Sequence, residues 1–105
     1  MANQIAGTFT GLQTSPKIEG RRFLAAVGEY GAATWAGTIN VMWVDVNGVI
    51  RRGTDASGNV VTLTSNEQQV MLDFACPVTA WLQCTAFTSG NIKWFLGAET
   101  RLTGF

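Results

Sequence analysis

Residues 35–52, WAGTINVMWVDVNGVIRR, constrain the fold more than any other stretch. Ile39, Val41 and Trp43 alternate with Thr38, Asn40 and Met42, the period-2 pattern of a strand with one buried face. Asn47-Gly48 follows, the pair that best tolerates the two positive φ angles of a type I′ turn. A second β-prone run starts at Val49, so the two runs are expected to form a hairpin. A two-residue loop sets its register: Val46 opposite Val49, Asp45 opposite Ile50, Val44 opposite Arg51 and Trp43 opposite Arg52. That register places the Arg52 guanidinium beside the Trp43 indole, a contact worth ~0.5–1 kcal/mol when exposed. Asp45 lies on the diagonal to Arg52. The plainer reading of the same residues is an ordinary hairpin with a solvated ion pair.

The remaining chain repeats the theme. Residues 1–20 contain one short β-prone run, GTFTGL, broken by Ser15-Pro16, and read as an extended arm or edge strand. Residues 21–105 read as one domain. Residues 22–30, RFLAAVGEY, alternate and close on glycines. After a turn-rich loop at 53–59 come VVTLT at 60–64, an alternating run at 68–74, a stop at Ala75-Cys76-Pro77, a strand at 79–87 and a last strand at 92–96. Short strands with a turn every eight to twelve residues mark an all-β protein. The expected architecture is a single antiparallel β-sandwich of about seven short strands, Ig-like or jelly-roll-like, with an extended N-terminal arm. Its inner face is Ile39, Val41, Trp43, Val61, Leu63, Val70, Leu72, Phe74, Leu82, Cys84, Ile92, Trp94 and Leu96. Met42, Met71, Trp81, Phe87 and Phe95 fall on the opposite phase, so the outer faces are not simply polar.

Composition bears on what such a sandwich is for. Lysine plus arginine and aspartate plus glutamate each number seven in 105 residues, so net charge is zero. No overall field favours nucleic acid or an anionic membrane. Charged residues make up 13% of the chain, against roughly 25% in a typical soluble domain. With four tryptophans as well, part of the surface is expected to lie against a partner or against copies of the chain. No apolar run approaches the ~18–20 residues that span a bilayer. The stretch MANQIAGTFTG lacks the basic and apolar regions of a signal peptide. Without an export signal Cys76 and Cys84 read as reduced thiols, although a disulfide between them stays open.

Catalytic chemistry finds little to work with. The chain has no histidine, which removes Ser-His and Cys-His pairs and imidazole metal ligands. Two cysteines cannot close a four-donor zinc site. Asp45 with Asp73 is a formal acid/base pair that no spacing selects. The loop DASGN at 55–59 lacks the carboxylates of an EF-hand. The expectation is a protein that is not an enzyme and carries no cofactor or metal. Exposed tryptophans, Trp35 and Trp81 above all, leave open a carbohydrate-binding module. Single-stranded nucleic acid is weaker, because the cations are scattered and balanced. Lys17, Arg21 and Arg22 form a small basic cluster interrupted by Glu19.

The runs WAGTINVMW at 35–43, DASGNVVTLT at 55–64 and CTAFTSGNIKW at 84–94 carry a resemblance. Together they resemble small bacteriophage virion proteins that pair a W-x-G-T-hydrophobic strand with a D-x-x-G turn and a terminal T-S-G-x-hydrophobic hairpin. The match covers roughly residues 20–98; in the penultimate strand this chain has Trp81-Leu82 where the family often has Tyr-Arg. The resemblance implies a β-sandwich on the virion, as a capsid decoration (cement) or head-fibre subunit. It implies a major capsid protein or other virion protein as partner, self-association with a trimer as one form, and synthesis in the host cytoplasm. A carbohydrate-binding module on a tail or fibre, or a minor tail or connector protein, are the alternatives. Contacts would come from the arm and the outer aromatics: Phe9, Leu12, Lys17, Arg21, Arg22, Trp35, Trp81, Phe87, Phe95 and Phe105.

Overall fold

The computed structural model describes residues 2–28, 35–45, 47–55, 57–64 and 68–99. Within them the alternating runs become seven strands: β1 (Ala2–Phe9), β2 (Ile18–Val27), β3 (Trp35–Val44), β4 (Ile50–Arg52), β5 (Thr62–Leu63), β6 (Gln69–Gly90) and β7 (Ile92–Glu99). All pairings are antiparallel, in the order β1-β7-β2-β6-β3-β4, with β5 also on β3. The all-β antiparallel class is the one expected. The sequence pattern expects a turn at 65–67 and a connection at 31–34, which lie outside the described residues, and a frayed or partner-bound tail at 97–105, of which residues 97–99 instead continue β7 and 100–105 lie outside the described residues.

The sheet folds over because β6 serves both of its halves. Its first part pairs with β2, from Ala26↔Gln69 to Arg22↔Asp73, and its second part pairs with β3, from Val44↔Thr79 to Trp35↔Gly90. Between Arg22↔Asp73 and Gly20↔Val78, Arg21 alone stands against Phe74, Ala75, Cys76 and Pro77. A proline cannot donate to a ladder. Here it falls in the bulge, where no ladder bond is asked of it, and Arg21 Nη2 donates to the Ala75 carbonyl. The sequence reading ends one strand at Pro77 and begins another; the chain instead runs through as one bent strand. Residues 13–15 extend the pairing on the far side of β6: Ser15 N donates to Leu82 O at 2.8 Å and Cys84 N to Gln13 O at 2.9 Å.

Alternation then sorts the side chains. On the core side, Ile5, Leu96, Ala25 and Val70 form one cross-strand rung, and Phe23 stands opposite both Ala98 and Leu72. Every residue of the expected inner face joins this core, with Trp43, Val61, Val70 and Phe74 at its partly buried margin. Phe74 lies between Phe23 (5.7 Å, edge-on) and Trp43 (4.8 Å). Trp94 covers Gly7, where a Cβ would stand 2.7 Å from the ring, and stacks on Phe9 at 5.4 Å. Phe87 corrects the expected phase. Thr85 is an extra residue between Ile39↔Cys84 and Thr38↔Ala86, which turns Phe87 inward against the core.

The β3–β4 hairpin also corrects the expected register. The pairs are Met42↔Arg52, Trp43↔Arg51 and Val44↔Ile50, one residue away from those a two-residue loop gives. Asp45 is the cause. Its Oδ1 accepts the amides of Asn47 (2.9 Å) and Val49 (3.0 Å), while Gly48 N donates to Asp45 O at 3.0 Å. Gly48 has φ +79°, so the loop has three residues with the left-handed position at its end. A one-residue slip exchanges faces. Arg51, not Arg52, shares the face of Trp43, and its Nε pairs with Asp45 Oδ2 at 2.6 Å. The second loop repeats this geometry: Asp55 Oδ1 accepts from Ser57 and Asn59, Gly58 N donates to Asp55 O, and Gly58 has φ +85°.

The Arg51 side chain, followed by the Val49 amide, holds the Asp45 carboxyl below its ordinary value of 3.8. The folded value is the lower one, so the unfolded chain takes up the proton first. The resulting stabilisation is complete above about 3.8 and is lost as pH falls through the folded value. Asp45→Asn keeps an acceptor for the turn amides but has no proton to bind. Urea midpoints from about pH 7 down to about pH 2 should therefore show the wild type above the variant at neutrality and the two converging in acid. Parallel curves would contradict the pairing.

Candidate interaction surface

The outward phase of β1, β7, β2 and the first part of β6 makes two neighbouring rungs. Gln4, Gly97, Leu24 and Met71 stand side by side in one, and Ala6, Phe95, Ala26 and Gln69 in the next. Leu24, Ala26 and Phe95 are half-buried and Met71 is 48% exposed. Small neighbours, Ala6 and Ala26, flank Phe95 on the two adjoining strands. Charge bounds this strip at each end. Arg22 stands between Glu99 and Asp73 on one side, bonded to Asp73 at 2.5 Å, and Lys93 lies opposite Thr8 on the other. An apolar strip framed by charged rungs is the anatomy of a contact surface.

The other half of the sheet closes its outward aromatic. Trp81 faces away from the core, opposite Met42, with Arg52 beyond Met42. It is nonetheless only 5% exposed, and Lys17 Nζ sits 4.8 Å from the ring centroid. The cation–π contact expected at Trp43 is therefore found at Trp81, with a lysine from the other side of β6. Nearby polar groups pair in the same way: Thr85 Oγ1 donates to the Oδ1 of buried Asn40 at 2.8 Å.

The expected contact residues scatter. Phe9 is 2% exposed; it is a core residue, because its strand pairs fully with β7 and sets it on Trp94. Trp81 is covered, and Trp35 and Phe87 pack half-buried against the core. Arg21 is tied to the β6 bulge and Arg22 to Asp73. Lys17 is exposed above Trp81, and Leu12, at 70% exposure, lies beside an uncharged groove of about 360 Å³ with Gln13, Thr14, Gln83, Cys84 and Thr85. Phe95 alone lies in the apolar strip, and Phe105 is outside the described residues. Leu24, Ala26 and Met71, which complete the strip, were not among the expected contacts. Only the pairing of β2 with both neighbours shows that their outward phases align.

Cys76 is exposed and Cys84 buried, both as free thiols, and burial pushes the Cys84 thiol up. Among the described residues no group of three or more His, Cys, Asp or Glu could hold a metal ion.

No protein-family model matches the sequence, and no curated protein does. Among solved structures the chain is similar to the crystal structure of SPBc2 prophage-derived protein YomS. The TM-score is 0.63 over 92% of this chain and 93% of that one, at 16% sequence identity. At that identity the likeness is one of fold.

Neighbouring substitutions on opposite faces of β6 test the strip. Met71→Ser should change the unfolding free energy by less than about 0.5 kcal/mol. Leu72→Ala, one residue along and in the core, should cost about 2–5 kcal/mol. Equal losses in chemical denaturation would mean that Met71 is not on an open face.

Proposed function

We infer that the chain is a non-enzymatic structural protein of a bacteriophage virion and, more narrowly, a capsid decoration subunit that binds and stabilises the head. The observation that carries this reading is a fold shared nearly end to end with a prophage-derived protein. A shared fold hosts many functions, so the surface must support the rest. Binding asks for a rigid platform with an apolar patch, and the Phe95–Leu24–Met71 strip on a four-strand face supplies both. The partner in this reading is the major capsid protein or another virion protein.

Magnitude limits how such a subunit docks. Four strands at ~4.8 Å spacing and eight residues at ~3.3 Å give a face of roughly 500 Å². A partner usually contributes ~800 Å² to a specific interface. Either more than one copy engages, or the face acts together with a neighbouring edge. The carbohydrate-binding alternative loses its platform, since Trp81 lies under Lys17 and Trp35 packs against the core.

Purified protein should co-sediment with empty heads of the phage that encodes it and raise their melting temperature. Phe95→Ser should weaken that binding. Absence of binding would overturn the decoration reading, and antibody labelling on the tail in electron micrographs would assign a tail or connector role instead.

A further inference from the structure

The two ends of the sheet are built differently. β4 is three residues long, Ile50-Arg51-Arg52, and two of them are arginines. Short length and charge are the usual protections of a sheet edge against pairing with another chain. β1 has neither. Its eight residues, ANQIAGTF, include no charge and no proline, and they pair with β7 from Ala2↔Glu99 to Phe9↔Ile92 without a bulge. Among the described residues no strand pairs with its other side.

We propose that β1 is the edge through which two copies of this chain join, antiparallel about a two-fold axis, into one continuous sheet. The proposal rests on this edge and not on the virion reading. An uncharged edge meets its own copy without like-charge conflict, which the arginines of β4 could not do. Antiparallel pairing about a two-fold keeps inward residues opposite inward ones only when a residue lies on the axis or the offset is even. With Ala6 on the axis, Gln4 faces the copy's Thr8, both exposed, and Ile5 faces the copy's Gly7. The bulkier side chain then meets the position without one. The same register continues the outer rungs: Ala26, Phe95 and Ala6 of one copy run into Ala6, Phe95 and Ala26 of the other. The four-strand outer face becomes one of eight strands, from roughly 500 to roughly 1,000 Å² with the apolar rungs running across it, above the ~800 Å² that one side of a specific interface requires.

Sedimentation velocity at tens of micromolar should give a dimer for the wild type. Ala6→Lys and Ala6→Glu should each sediment as monomers, because like charges meet on the axis, and their equimolar mixture should recover the dimer. Opposed residues of an antiparallel pair have Cα atoms ~4.5–5.5 Å apart, within disulfide range. Ala6→Cys in a Cys76→Ser background should therefore oxidise to a covalent dimer, a readout that does not depend on the charged variants folding. A monomeric wild type, a trimer, or a dimer that survives Ala6→Lys with no crosslink at Ala6→Cys would overturn the proposal.

Discussion

One strand bonded along both of its edges holds this protein together. β6 takes β2 on one side and β3 on the other, and its bulge at Phe74 to Pro77 turns the sheet so that both halves face one core. Continuous alternation on each side of the bulge puts Val70, Leu72 and Phe74, then Ala80, Leu82 and Cys84, on the inside. The bulge absorbs the residue that would otherwise end the strand. Pro77 without its donor, and Arg21 against the Ala75 carbonyl, make the corner a built feature of the chain.

Local side-chain chemistry then decides what alternation cannot. Two aspartates, Asp45 and Asp55, each gather two turn amides on one oxygen and set a glycine in the left-handed region. At Asp45 this adds one residue to the loop and turns both following arginines over. Arg51 goes to the Trp43 side, and Arg52 goes to the Met42 and Trp81 side.

Fold class and core face were legible in the sequence, because period-2 alternation needs no knowledge of partners. Ile39, Val41, Leu72, Leu82 and Leu96 are core residues for that reason alone. Asn47-Gly48 alone does not give the hairpin register; the signal is the aspartate three residues before the glycine, Asp45 before Gly48 and Asp55 before Gly58, whose carboxylate gathers the turn amides. Phe87 escaped because an extra residue at Thr85 shifts the phase without leaving a mark in the hydrophobic pattern. Phe9 and Trp81 escaped for a different reason. They pack against Trp94 and Lys17, far away in sequence, and only topology brings those partners close. The same holds for the candidate surface, whose members lie on four strands joined in an order the chain does not follow.

The two halves of the sheet thus treat their outer faces oppositely. One leaves Met71 exposed and Phe95 half-buried between charged rungs, and the other lays Lys17 across Trp81. Residue-resolved hydroxyl-radical footprinting of the free protein reads this contrast most directly. Met71 should be labelled at the rate of an accessible side chain and Phe95 at an intermediate rate, with Trp81 strongly protected despite its high intrinsic reactivity. Rapid labelling of Trp81, with Met71 and Phe95 protected, would contradict the arrangement.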